Sequence, residues 1–236
     1  MKTVKLLLPV IIIFFFTVSC SLRCKKGEGP VVSTSRNIEA FTRLVCDIPC
    51  QIYITQGNTP SCVVNTCENL QDFIITEAKG GGKLKITSKK CISDLDTVRI
   101  DLTVPELKGL KIKGPGKMFS TGVFTGDKME FEIDGSGNIY FNVMLNSLET
   151  DIRGSGDANL KGSVQKHNIA IKGSGNVSAG ELNTYECKVD IEGSGSCHLF
   201  VNNMLKANIN GSGDVFYKGS PEIKTDIKGS GKVQKE

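Results

Sequence analysis

The segment Ile133-Asp134-Gly135-Ser136-Gly137-Asn138-Ile139 carries a tripeptide that recurs through the second half of the chain. Gly-Ser-Gly stands at 135–137, 154–156, 173–175, 193–195, 211–213 and 229–231, and Gly-Pro-Gly at 114–116 is a degenerate earlier copy. Successive copies are 18 to 21 residues apart. Self-similarity at a nearly fixed period is typical of a solenoid, in which each repeat forms one coil.

Apolar residues flank every copy at fixed positions. Two residues before the first glycine, all seven copies have isoleucine: Ile112, Ile133, Ile152, Ile171, Ile191, Ile209 and Ile227. Two residues after the last glycine stand Met118, Ile139, Ala158, Val177, Cys197, Val215 and Val233. Polar and charged residues alternate with these positions, as in a β-strand with one buried face, and this period of two excludes a helix.

The tripeptide is suited to a tight corner between strands. Glycine permits a positive φ and allows successive corners to stack closely. The corner glycines are Gly135, Gly137, Gly154, Gly156, Gly173, Gly175, Gly193, Gly195, Gly211, Gly213, Gly229 and Gly231. We therefore predict an all-β fold, a right-handed parallel β-helix of about seven coils of two or three short strands each, over residues 105–236. The isoleucines should form a core ladder, each contributing roughly 1.5–3 kcal/mol.

Residues 36–104 predict a divergent β-rich part that precedes the repeats. The segment 47–54 aligns with 134–141, which places a copy of the coil near Leu44 with its glycine corner lost. The candidate strands are 52–55, 62–66, 73–76, 83–87 and 98–104, and a single helical turn is predicted at 68–72.

The N-terminus has the form of an export signal. Residues 1–19 combine two lysines, an apolar stretch and small residues, which predicts a signal peptide too short to span a bilayer. Thr17-Val18-Ser19-Cys20 resembles the lipobox of bacterial lipoproteins, although Thr17 stands where the box usually has Leu. Cys20 is then the lipidation site, and residues 20–35 form a flexible tether from the membrane. The alternative is an ordinary secretory peptide that is cut nearby.

The chain has nine cysteines, and five of them fall between Cys46 and Cys91. Export to an oxidising compartment favours disulfides, and free thiols are the alternative. Cys50 and Cys67 could pair if strands 52–55 and 62–66 formed a hairpin. Cys187 and Cys197 lie in the inward register of one coil and are predicted to be free, buried thiols. The cysteine spacing does not support a zinc site, because no Cys-x-x-Cys pair is present.

Several function classes are disfavoured by the composition. A formal net charge of +4 without clustered lysine and arginine argues against nucleic-acid binding. After the Gly-Ser-Gly corners only Asp157 and Asp214 are acidic, which does not make a calcium ladder, and no metal or cofactor is expected. The outward positions carry mixed charges that should neutralise one another, and His167 falls in the inward register. No catalytic residues are therefore predicted, and the chain is not expected to be an enzyme.

Three sequence features resemble one known family. They are Gln51-Ile52-Tyr53-Ile54-Thr55-Gln56-Gly57, the step Val104-Pro105-Glu106-Leu107, and the Ile-x-Gly-Ser-Gly-Asn/Asp series. Together they resemble the "putative auto-transporter adhesin, head GIN domain" family over roughly residues 41–233. The resemblance implies a lipoprotein or secreted protein with a β-helix. Its motifs are structural and bring no catalytic or ligand residues with them.

The sequence thus predicts a non-catalytic exported lipoprotein of the cell envelope, which adheres to or binds an unknown glycan or protein. Its outer strand faces, or loops at 142–146 and 201–206, would provide the surface. A structural or assembly role is the first alternative, and a polysaccharide-active β-helix enzyme is the second. The lipid would hold it in the outer membrane, facing the periplasm or exposed at the surface. Charges at 232–236 favour a monomer or a small homo-oligomer.

Overall fold

The computed structural model describes residues 24–93 and 95–236. The predicted signal peptide and the predicted lipidation site Cys20 lie outside these residues. The described chain is almost entirely β-strand, with a 3₁₀ helix at Glu68–Phe73. Its strands are β1 Val31–Arg36, β2 Arg43–Cys46, β3 Gln51–Gln56, β4 Ser61–Cys67, β5 Ile74–Lys79, β6 Lys83–Ser88, β7 Val98–Val104, β8 Gly109–Lys113, β9 Lys117–Gly135, β10 Asn138–Gly154, β11 Asp157–Gly173, β12 Asn176–Gly193, β13 Ser196–Gly211, β14 Asp214–Gly219, β15 Glu222–Gly229 and β16 Lys232–Lys235.

Parallel stacking of long strands confirms the β-solenoid. Strands β9 to β13 are 16 to 19 residues long, and each pairs in parallel with the strand of the next coil. The sequence predicted two or three short strands per coil. Each of these coils is instead one long strand that bends while it stays paired with its neighbours. Small register shifts, such as the one between Asn159 and Lys161, take up the bends. The coil that stacks on β13 is divided into β14 and β15, and β16 stacks on β14 as the start of a further coil.

The isoleucines form the predicted ladder. Each is in register with the isoleucine of the next coil, from Ile112 to Ile227. The first six are at most 2% exposed. Ile227 is the exception, because it is 38% exposed. It lies on β15, and no described strand stacks on the outer edge of β15.

The two glycines of each corner have different physical roles. The first adopts a positive φ, from +123° at Gly154 to +137° at Gly211, which other residues adopt only under strain. The second has no such φ, but a Cβ there would collide with the backbone below it. At Gly175 this atom would overlap the carbonyl oxygen of Gly156. Close stacking requires both glycines, and the first is also required by its positive φ.

The N-terminal part is stacked in an order that differs from the chain order. The layer formed by β2 and β3 lies between the layer of β6 and β7 and the layer of β8 and β9. Cys46 is in register with Ile112, and Gln51 with Lys117. This confirms that residues near Leu44 begin a divergent coil. Beyond it, β4 and β1 add to β7 in antiparallel fashion, and β5 adds to β6, so this end of the solenoid is covered.

Two sequence predictions about the N-terminal part are wrong. Strand β7 lies between β3 and β4, so these strands form no hairpin, and Cys50 and Cys67 are free thiols. The disulfide joins Cys24 to Cys91. The tether predicted at 20–35 is also wrong from residue 24 onward, because this disulfide and the pairing of β1 with β4 fix the chain to the domain.

Candidate binding surface

One outward position carries an unusual set of side chains. It is the third residue after each corner, adjacent to the inward apolar position, and it repeats in every coil. We name this set the outward row: Asp101, Tyr53, Phe119, Tyr140, Asn159, Ser178, His198, Phe216 and Gln234, in stacking order. The parallel register aligns these side chains on one face of the solenoid.

Rings in the outward row form two stacks. Tyr53, Phe119 and Tyr140 make the first, with centroids 4.9 Å apart and planes within 15° of parallel. The guanidinium of Arg99 covers the outer face of Tyr53 at 4.3 Å. His198 and Phe216 make the second stack, with centroids 4.8 Å apart. The spacing between parallel strands, about 4.8 Å, suits ring stacking, so the fold itself organises these rings.

A notch separates the two stacks. It is formed by Tyr140, Asn159, Ser178 and His198, with a ring at each end and two small polar residues between. Three strand spacings give about 14 Å between the end rings. Tyr140 is 36% exposed. In the part of the chain that the structure describes, the Asn159 and Ser178 side chains make no hydrogen bond, so their polar atoms face solvent unpaired.

Polar side chains border the notch along both edges. On the corner side, Asn176 donates its amide to Asp157 at 2.9 Å, and the Ser196 hydroxyl donates to Asn176 at 2.7 Å. On the other side, Lys161 and Glu181 form an ion pair at 2.9 Å. The notch thus combines aromatic faces with many hydrogen-bonding groups, which is the composition of a site for a polar ligand with an apolar side.

The corner aspartates have structural partners. Asp157 accepts the Asn176 backbone amide at 3.1 Å, and Asp214 accepts that of Lys232 at 3.1 Å. These hydrogen bonds cross between adjacent coils. Within residues 24–93 and 95–236, no group of three His, Cys, Asp or Glu side chains is arranged to hold a metal ion.

An acidic groove on another part of the surface is the candidate for a catalytic centre. Glu130, Glu149, Asp151 and Asp190 line it. Burial raises the pKa of Asp151, and Arg153 opposes that rise. Each carboxylate nevertheless has a cationic partner: Arg43 at 2.8 Å, Lys128 at 2.9 Å, Arg153 at 2.8 Å and Lys188 at 2.6 Å, respectively. Each carboxylate is thus neutralised by its own cationic partner, as the sequence predicted for the outward charges.

A buried cysteine and histidine lie next to each other inside the core. Cys187 and His167 are partners in adjacent coils. Burial raises the pKa of Cys187 to about 12 and lowers that of His167 to about 3. Both groups are therefore neutral and inaccessible, which is the opposite of an activated nucleophile. Cys187 and Cys197 are free and buried, as predicted.

The sequence interpretation named the outer strand faces in general as one candidate surface, but it did not identify the outward row. The segments expected to be loops, 142–146 and 201–206, lie inside β10 and β13 and are bending strands. The signal for the row was present, because aromatic residues or histidine stand three residues after four of the seven corners. The alignment of 47–54 with 134–141 also places Tyr53 at this position, but only the register shows that Tyr53 lies next to Phe119.

The fold and its surface define a non-globular repeat protein of the β-solenoid class. The chain belongs to the family described as "Putative auto-transporter adhesin, head GIN domain", which matches residues 40–221. This membership suggests an exported or surface protein. Among the described residues, no helix has the length and apolarity needed to cross a bilayer.

Solved structures share the fold. A putative adhesin from Bacteroides fragilis NCTC 9343 is 24% identical, with a TM-score of 0.84 over 90% of this chain and 100% of that one. A putative lipid binding protein from Parabacteroides distasonis ATCC 8503 is 26% identical, with a TM-score of 0.74 over 91% and 100%. A putative adhesin from Parabacteroides merdae ATCC 43184 is 23% identical, with a TM-score of 0.66 over 90% and 98%. No curated protein matches the chain.

Proposed function

We propose that this protein is a non-catalytic adhesin of the cell envelope that binds glycans at the notch between Tyr140 and His198. Membership of an adhesin family supports adhesion. The observation that carries the glycan assignment is the notch itself, where two rings enclose a polar floor. The C–H groups on one side of a sugar ring are attracted to the negative face of an aromatic ring, and its hydroxyl groups need hydrogen-bonding partners.

The same geometry favours a glycan over a lipid, which is the ligand class in the name of one structural neighbour. A lipid tail needs an enclosed apolar cavity, but the ladder fills the interior with side chains such as Ile152 and Ile171, both fully buried. Asn159 and Ser178 at the floor would lose their hydration under a lipid tail and gain no hydrogen bond in return. A sugar hydroxyl would replace that water with a direct hydrogen bond.

A glycan array probed with the purified protein tests this assignment. Tyr140→Ala should weaken binding to the recognised glycan at least tenfold, because it removes one ring face of the notch. Tyr185→Ala is the matched control, since Tyr185 is 49% exposed and lies outside the outward row. Its affinity should stay within twofold of the parent protein.

Three outcomes would overturn the proposal. One is an array with no bound glycan, and another is unchanged binding by Tyr140→Ala when both variants keep the parent melting temperature. The third is Tyr140-dependent binding of matrix proteins that carry no glycan, which would assign the notch to a protein ligand.

We also propose that a lipid on Cys20 anchors the protein to the outer membrane. The support is the sequence 17–20 with its lipobox resemblance, followed by a folded domain that begins by residue 24. Cys20→Ser should leave the precursor uncleaved or release the protein from the membrane fraction. Unchanged membrane attachment of this variant in cell fractionation would contradict the anchor.

A further inference from the structure

Among the residues that the structure describes, none covers the end of the solenoid at β15. Strand β15 pairs with β13 along one edge, and all eight of its residues are exposed. Ile223 is 40% exposed and Ile227 is 38% exposed, although both occupy inward positions of the coil. No strand among residues 24–93 and 95–236 pairs with the outer edge of β15. An open edge with exposed apolar side chains is a template for pairing with another strand.

The sequence of this edge is complementary to itself in the antiparallel direction. It reads Glu222-Ile223-Lys224-Thr225-Asp226-Ile227-Lys228. If two copies pair antiparallel with Thr225 opposite Thr225, each Ile223 lies opposite Ile227. Each Lys224 then lies opposite Asp226, and each Glu222 opposite Lys228. Every charge in this register meets its opposite, and every isoleucine meets an isoleucine.

We propose that two copies of this chain form a twofold dimer by antiparallel pairing of their β15 edges. Residues directly opposite in an antiparallel pair point to the same face. The inward residues 223, 225 and 227 of both copies therefore join the two cores into one, and the charged residues pair on the outside. Opposite charges and apolar residues facing each other across strands are both stabilising.

Neighbouring registers are disfavoured by the same residues. A shift by one residue places inward positions opposite outward ones and exposes the isoleucines. A pairing centred on Lys224 sets two lysines opposite each other, and one centred on Asp226 sets two aspartates opposite each other. Registers centred on Ile223 or Ile227 also avoid like charges, but they pair fewer residues of β15. The pairing centred on Thr225 is therefore the longest register without like-charge contacts. Because it uses the same edge on both copies, it is closed and stops at two.

Charge exchange between two variants provides the test. The oligomeric state of the purified protein is measured by analytical ultracentrifugation from 1 to 100 μM, with the parent expected as a dimer. Lys224→Glu, or Asp226→Lys alone, should weaken the dimer at least tenfold, since each places like charges opposite one another. The double variant Lys224→Glu/Asp226→Lys restores opposite charges in both pairs and should restore the dimer.

A crosslink tests the register independently. In the proposed dimer the two Thr225 residues are opposite one another, at a Cα distance of about 4.5–5.5 Å that suits a disulfide. Thr225→Cys should form a covalent dimer on mild oxidation, whereas the exposed control Tyr185→Cys should not. The proposal fails if the parent is monomeric throughout this range or forms larger open assemblies. It also fails if folded Lys224→Glu dimerises normally or the double variant is not rescued.

Discussion

Thr150 Oγ1 lies 2.9 Å from His167 Nε2 in the core of the solenoid, one coil apart. Both side chains are at most 1% exposed, and His167 Nδ1 has no hydrogen-bond partner in the described residues. His167 occupies a position that adjacent coils give to Leu148 and Cys187. The imidazole of His167 is thus a titratable group at an inward core position that adjacent coils fill with leucine or cysteine. Burial lowers its pKa to about 3, so it is neutral when the protein is folded.

This arrangement predicts that stability falls in mild acid. The unfolded chain takes up a proton at His167 near pH 6.5, while the folded chain does so only near pH 3. Between these pH values the unfolded state binds more protons than the folded state. The free energy of unfolding is therefore highest above pH 6.5 and decreases as the pH falls toward 3. The slope is about 1.4 kcal/mol per pH unit, or about 2 kcal/mol between pH 7 and pH 5.

Urea unfolding of the parent and of His167→Leu at pH 5 and pH 7 checks this expectation. The variant should lose most of the difference between the two pH values, whereas His198→Gln should keep it. Carboxylates with a lowered pKa, such as Asp190, lose their contribution only near and below about pH 4. An equally steep decline in His167→Leu would show that another group is responsible.

The ladder predicts unequal costs for two adjacent substitutions. Ile171 is fully buried, and Ile171→Ala should reduce the free energy of unfolding by about 2–5 kcal/mol. Lys172 is exposed and pairs with Glu192 at 3.3 Å, so Lys172→Ala should cost at most about 0.5 kcal/mol. Denaturant unfolding measures both values. Equal costs would mean that the inward register is incorrect.

Replacing the second glycine of a corner by alanine should destabilise the fold through a steric clash, without backbone strain from a positive φ. A Cβ at Gly175 would overlap the carbonyl oxygen of Gly156, so Gly175→Ala must separate two coils. We expect a loss of about 2 kcal/mol or more. Gly180 is the control, because a Cβ there meets no atom within 4 Å. Gly180→Ala should be neutral or stabilising by up to about 1 kcal/mol. Similar thermal shifts for the two variants would argue against close stacking of the corners.

The disulfide predicts one mapped bridge and a clear cost of removing it. Peptide mapping without reduction should find Cys24 joined to Cys91, with Cys46, Cys50, Cys62, Cys67, Cys187 and Cys197 unmodified until the protein unfolds. The bridge closes a loop of 67 residues, and Cys24→Ser/Cys91→Ser should cost about 2–4 kcal/mol in the free energy of unfolding. A bridge between Cys187 and Cys197 would refute the register of that coil.

Much of the fold was determined by local sequence. The alternation around each Gly-Ser-Gly corner specified strands, and its period specified coils. The invariant isoleucine specified the core ladder, which the register confirms from Ile112 to Ile227. These features are local because a solenoid coil contacts only its neighbours, so each repeat contains the information for its own stacking.

The tertiary structure decided what depends on pairing between distant segments. The layer of β2 and β3 is stacked between layers that come later in the chain, and this non-local order separates β3 from β4, so Cys50 cannot reach Cys67. It also brings Tyr53 onto Phe119 and Tyr140, which completes a stack of rings from two halves of the sequence. Cys24 reaches Cys91 for the same reason. Spacing along a chain specifies a repeating coil, but only the packed stack determines which outward side chains share a face.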